Sequence, residues 1–144
     1  MNLQLQQKKA LVTGSTAGIG LAIASALARE GASVIVNGRT EERVAAAVKT
    51  ILQRAPDTRV SGVVADLSSA AGAEGLCRQV PETDILVNNL GIFEAKPFAD
   101  ISDEDWWCIF EVNVMSGVRL SRHYLPTMFR KNWAASSSSR VNRR

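Results

Sequence analysis

Three glycines define the chemistry this chain could do. They stand at 14, 18 and 20 in Thr13-Gly14-Ser15-Thr16-Ala17-Gly18-Ile19-Gly20, between a short apolar run and a segment rich in Ala and Leu. Without a Cβ, the backbone there can turn sharply and come close to a ligand. A helix that begins in such a loop offers unpaired N–H groups and the positive end of its dipole, which suit a phosphate. The spacing G-x-x-x-G-x-G is a variant of the dinucleotide fingerprint G-x-G-x-x-G. A nucleoside triphosphate loop is excluded, because no Gly-Lys-Ser/Thr follows. Candidate contacts are Gly14, Ser15, Thr16, Gly18, Ile19 and Gly20. The other reading is a glycine-rich turn that binds nothing, which the position after a first strand disfavours.

A second cue is Asn37-Gly38-Arg39, at the end of the next apolar run. NAD-preferring sites place an acid about 20 residues beyond the glycines, where it accepts the ribose hydroxyls. No Asp or Glu stands here. Arg39 is suited to a 2′-phosphate instead, through a charge-assisted fork, with Asn37 beside it. NADP is therefore expected in preference to NAD; a solvated arginine at a helix start is the alternative.

The elements that must position these residues alternate regularly. Ala10–Val12, Ser33–Val36, Val60–Val64 and Ile85–Val87 read as strands. Between them lie helical segments over Ile19–Glu30, over a stretch capped by Thr40 with Val44, Val48, Ile51 and Leu52 on one face, and over Ala70–Gln79. Ser102, followed by three acids, opens another helix that runs through Val114, Val118 and Leu125, with Pro126 expected to kink or end it. Short apolar strands separated by helices imply a parallel α/β sheet covered on both faces.

The 144 residues suit one domain, and 46% hydrophobic with 22% charged excludes wholesale disorder. The net charge of +3 is unevenly placed. Residues 1–111 carry 10 basic and 14 acidic side chains, whereas 112–144 carry 7 basic and none acidic. The basic character belongs to the last quarter, and no nucleic-acid partner is expected. Cys77 and Cys108 form neither a disulfide framework nor a metal spacing, and no metal is expected. No signal-like start or membrane-length apolar run is present, so a cytoplasmic location without a membrane partner is expected.

Together these features resemble the short-chain dehydrogenase/reductase family over residues 9–133. Four motifs carry the likeness: the Gly14/Gly18/Gly20 loop, Asp66 in Val-Val-Ala-Asp-Leu, Asn88-Asn89-Leu90-Gly91, and Asn113 in Phe-Glu-Val-Asn-Val. The resemblance implies a Rossmann-type sheet with NADP(H) as cofactor and a small carbonyl or alcohol as substrate. It implies that Asp66, with Leu67 beside it, meets the adenine, and that Asn88, Asn89 and Gly91 line the cofactor cleft. Asn113 would support a proton-relay water. On the residues alone, Asp66 could equally be a turn cap and Asn113 an ordinary helix polar residue. Leu90 stands where the family has a small residue.

The family's catalytic Ser, Tyr and Lys are not matched. A phenol of pKa about 10 is a poor base at neutral pH without a nearby cation. The one tyrosine, Tyr124, is followed four residues later by Met128, and no Tyr-x-x-x-Lys occurs. Residues 134–144 are expected to be a disordered tail outside the family, of the kind a one-base slip in GC-rich DNA would write as a serine run. The expectations are an incomplete sheet of about four strands, a C-terminally truncated and inactive chain, and an open edge at the fourth strand. A non-catalytic dinucleotide-binding module, or an interaction protein that associates through that edge, is the alternative. Trp106, Trp107 and Phe110 read as core or interface.

Overall fold

Apolar residues in the strands alternate between two cores. In the computed structural model, which describes residues 4–131 and 135–138, β1 (Lys9–Val12) sends Ala10 and Val12 to one face and Leu11 to the other. β2 (Ser33–Gly38) splits Val34 and Val36 from Ile35 in the same way, and β4 (Ile85–Asn88) splits Ile85 and Val87 from Leu86. A strand whose two faces are both apolar is stable only when both are covered, which is the situation of a parallel sheet. α1 (Gly18–Arg29) and α2 (Glu41–Arg54) close one face with Ala24, Ala28, Ala47 and Ile51. α3 (Ala70–Gln79) and the long C-terminal helix close the other with Leu76, Leu120, Tyr124 and Met128.

With β3 (Val60–Val64), the strand order is β3-β2-β1-β4-β5, and every pairing is parallel. β1 is central, and the chain reverses direction across the sheet between β1 and β4. The loops after β1 and β4 therefore diverge, leaving a crevice at the carboxyl ends of the strands. This is the Rossmann-type architecture.

Two expectations need correction. Residues 135–138 are not part of an irregular tail: they form β5 (Ala135–Ser138), in register with β4 from Ile85↔Ala135 to Asn88↔Ser138. The described sheet thus has five strands, and the edge of β4 expected to be open is paired. A parallel ladder is made of backbone N–H and C=O groups, so β4's free edge can recruit a run with no apolar pattern of its own. The rest of the expected tail, 134 and 139–144, lies outside the described residues.

The other correction concerns the expected helix end at Pro126: the helix runs on past it. Helix continues from α4 (Asp103–Phe110) through a π-turn (Glu111–Met115) into α5 (Ser116–Arg130), with Pro126 inside. Pro126 and Arg122 are exposed, so the carbonyl deprived of its N–H partner can turn to water. The start is well fixed: Ser102 Oγ accepts from Asp105 N–H while the Asp105 carboxylate accepts from Ser102 N–H. That reciprocal cap holds the helix that carries Asn113.

Candidate functional site

Because β1 ends at Val12, the glycine loop begins at the crevice. Gly14 and Gly18 both have left-handed backbones, with φ of +56° and +55°. Such angles cost other residues about 1–2 kcal/mol. Around Gly18 an added Cβ would meet nothing within 4 Å, so this part of the loop faces open space. At Gly20 a Cβ would lie 2.4 Å from Asn89 Nδ2 and 2.5 Å from Gly14 O. Gly18 borders open space, whereas Gly20 permits the loop to fold against its own support. α1 starts at Gly18 with no side-chain cap. Its first amides, those of Gly18, Ile19 and Gly20, are thus free of intrahelical partners by helix geometry.

The support comes from both flanking strands. Asn37, at the end of β2, is 2% exposed. Its Oδ1 accepts from Gly14 N–H at 3.3 Å, and its Nδ2 donates to Val63 O and Ala65 O. Asn37 N–H donates to Ser15 Oγ and its carbonyl accepts from Ser15 N–H, while Ser15 Oγ donates to Val12 O. On the other side, Asn89 Nδ2 donates to Thr13 O and Gly14 O. Thr13 Oγ1 donates to Val87 O and accepts from the N–H groups of Asn89 and Leu90. The Gly14 residue is therefore gripped at its N–H by one buried asparagine and at its carbonyl by another.

The remaining candidates have distinct places. Thr16 lies over Gly38, where an added Cβ would be 2.4 Å from its methyl. Arg39 is exposed, just beyond β2 and ahead of the Thr40 cap of α2. Asp66 is exposed beyond β3, and its Oδ1 accepts from Ser68 N–H at 3.0 Å. Hydrogen bonds from Ser68, backbone first, together with the positive field of Arg39 hold its carboxyl below the usual 3.8. Leu67 is in the core and Gly91 is exposed. Asn88 Nδ2 donates to Ser121 Oγ on α5, while its Oδ1 is buried with no hydrogen-bond partner among the described residues. Asn113, in the π-turn, accepts from Ile92 N–H at 2.7 Å and donates to Ile92 O at 2.9 Å. Its amide thus ties the loop after β4 to the helix.

Thr13 and Gly38 were not singled out from the sequence. The only signal for Thr13 is a hydroxyl residue at the strand end. Gly38 is marked only by its place between two candidates. Tyr124 is 1% exposed, and its hydroxyl donates to Val80 O at 2.6 Å. It packs between α5 and α3, away from the crevice. Two clefts also lie elsewhere: one of about 680 Å³ between α2 and β3, and one of about 370 Å³ between α4 and the loop of residues 92–101. Neither is lined by the glycine loop. Among the described residues no cluster suited to a metal ion occurs, and no helix is long and apolar enough to cross a membrane.

A model of the short chain dehydrogenase family matches residues 8–136. The chain belongs to that family.

Residues 135 and 136, expected to lie outside the likeness, fall within the match. The chain is 52% identical over 131 residues to an uncharacterized oxidoreductase of Bacillus subtilis, YvaG, covering 91% of this chain and 50% of that protein. It is 43% identical over 133 residues to a D-beta-hydroxybutyrate dehydrogenase of Cupriavidus necator, covering 90% of this chain and 51% of that one. L-sorbose reductase of Gluconobacter frateurii, solved with NADPH and L-sorbose, is 32% identical and superposes with a TM-score of 0.85 over 96% of this chain and 54% of that one. The chain thus spans about half the length of the curated relatives it matches. Membership supports a nicotinamide dinucleotide cofactor and oxidoreductase chemistry at the family level.

Proposed function

We propose that this chain binds NADP(H) at the carboxyl ends of its strands, as the cofactor-holding part of a carbonyl or alcohol oxidoreductase. The observation that carries the proposal is the open, left-handed Gly18 at the uncapped start of α1, on the same rim as Arg39 and Asp66. The residues fit the group. Amides of Gly18, Ile19 and Gly20 suit the pyrophosphate, with Thr16 at the rim. Arg39 would pair with the 2′-phosphate, and the absence of an acid from Asn37-Gly38-Arg39 removes the repulsion an NAD-type carboxylate would exert on it. Asp66 would accept from the adenine amino group, with Gly91 bordering the ribose. When bound, the dinucleotide supplies or accepts the hydride.

Acid/base chemistry is a separate matter. The 144 residues contain no Tyr-x-x-x-Lys, and Tyr124 is committed to Val80 O in the core. We therefore expect these residues by themselves to hold the cofactor and to reduce no ketone above background. Asn113, engaged with Ile92, would set the loop beside the cofactor. With Cys77 and Cys108 both free, a reducing cytoplasm suits the chain, without a nucleic-acid partner.

Titration with NADPH, followed by its fluorescence, tests the proposal. Saturable binding is expected, with NADPH preferred over NADH. Arg39→Ala should weaken NADPH by about tenfold and leave NADH unchanged, consistent with loss of a charge-assisted contact. Absence of saturable binding by a folded chain would refute the cofactor site; equal losses for both nucleotides would refute the role of Arg39.

A further inference from the structure

We propose that Asn37 is a positioning residue for the dinucleotide: a buried carboxamide that fixes the phosphate loop and the Asp66 turn relative to each other, without touching the ligand itself. The inference rests on the dinucleotide reading above and extends it to a residue that the cofactor never reaches.

Asn37 lies in β2, two residues before Arg39, and it is 2% exposed. Its three side-chain bonds go to backbone groups of two different cofactor-facing segments. Oδ1 holds Gly14 N–H, at the start of the glycine loop, whereas Nδ2 holds Val63 O and Ala65 O, the latter immediately before Asp66. Its own backbone is locked to Ser15 in both directions. The segments that would meet the pyrophosphate and the adenine of a dinucleotide are thus joined through this one amide, in addition to the β2–β3 ladder. The N–H and carbonyl of Gly14 belong to successive peptide units, so the Asn37 amide orients the first of them while Asn89 holds the second. Placing reacting or binding groups in advance lowers the ordering cost that a ligand must otherwise meet.

The donor and acceptor roles are separable by chemistry. A protonated aspartic acid at 37 would keep both, with one oxygen accepting from Gly14 and the O–H donating to Ala65 O. Its carboxylate would keep only the acceptor and would face two carbonyl oxygens. The side-chain partners of Asn37 are backbone groups; the charged side chains on the same rim are Asp66 and Arg39.

The experiment measures NADPH affinity of the full 144-residue chain, Asn37→Asp and Asn37→Ala at pH 5.5 and pH 8, each value as a ratio to wild type at that pH. The ratio cancels titration of the cofactor's own phosphate, and Asp66, held below 3.8, is ionised at both pH values. Far-UV circular dichroism and thermal melting report folding at each pH. Asn37→Asp should bind about as well as wild type at the lower pH and about tenfold more weakly at the higher one, the loss expected for a buried bond left unmade. Asn37→Ala should be weak at both. A purely structural role would move the melting temperature and leave the affinity of the folded protein unchanged at both pH values. That result, or a flat Asn37→Asp ratio, overturns the proposal while leaving the cofactor site standing. If Asn37→Ala fails to fold, the Asn37→Asp profile decides. If wild type itself does not bind NADPH, the cofactor reading and this inference fall together.

Discussion

Tyr124 shows how one side chain can be committed to packing in a family where a tyrosine is expected to work. It is buried in the core where α5 packs on α3, and its hydroxyl donates to the Val80 carbonyl at the C-terminal cap of α3. Desolvation, then the nearby Cys77, pushes its phenol well above the ordinary value of 10.0. A phenol raised on folding favours the folded state fully below the unfolded pKa, and this contribution falls as pH rises beyond it. Stability should therefore decline above about pH 10, as the unfolded chain ionises and the native one resists. Tyr124→Phe should lower stability by about 1–2 kcal/mol at neutral pH, through the lost bond to Val80 O. It should also flatten part of the alkaline decline. Denaturant midpoints at pH 7 and pH 10.5 measure both. The opposite sign, a variant more sensitive to alkali, would contradict the burial of the hydroxyl. Asn37 teaches a related lesson: its residue type and position mark it as a candidate contact, and in the fold its amide is buried and bonded to the backbone of Gly14, Val63 and Ala65. The sequence could not show which way the side chain turned, because that depends on β3 lying beside it.

At the scale of elements, the glycine loop divides into a part that must be open and a part that must be closed. Gly18→Ala meets no obstruction, only the unfavourable left-handed backbone, and should cost about 1–2 kcal/mol with the fold retained. Gly20→Ala drives a methyl into Asn89 Nδ2 and Gly14 O, so the loop must shift. Gly20→Ala should lose NADPH binding altogether and melt lower than Gly18→Ala; melting curves and fluorescence titration of both variants check the order. The strands and the caps at Thr40 and Ser102 were legible because each depends on neighbours a few residues away. The π-turn at Glu111–Met115 was not. Apolar periodicity runs through it without a gap, and the extra residue per turn becomes visible only where Asn113 reaches Ile92. β5 was equally hidden, since Ala135–Ser138 carries no apolar alternation and owes its extended state to the edge of β4.

For the whole molecule, closing that edge has consequences for solubility. A paired β4 no longer offers its backbone groups to other chains, although β5 becomes the new edge. A variant that ends at Lys131 should lose the ladder from Ile85 to Asn88, melt at lower temperature and scatter more light with rising concentration. Sedimentation velocity at several concentrations measures the difference; identical profiles would mean that β5 contributes nothing in solution. The exposed Trp106, Trp107 and Phe110 give a further route to association that this variant leaves unchanged. The central place of β1 has a different kind of consequence, in time rather than in space. Ala10 meets Val34 early in the chain but must wait for Ile85 on its other side. During synthesis on a ribosome, the heart of the sheet is therefore made first and finished late. Throughout that interval the nascent chain carries one naked apolar strand edge, the stage at which a chaperone has most to hold.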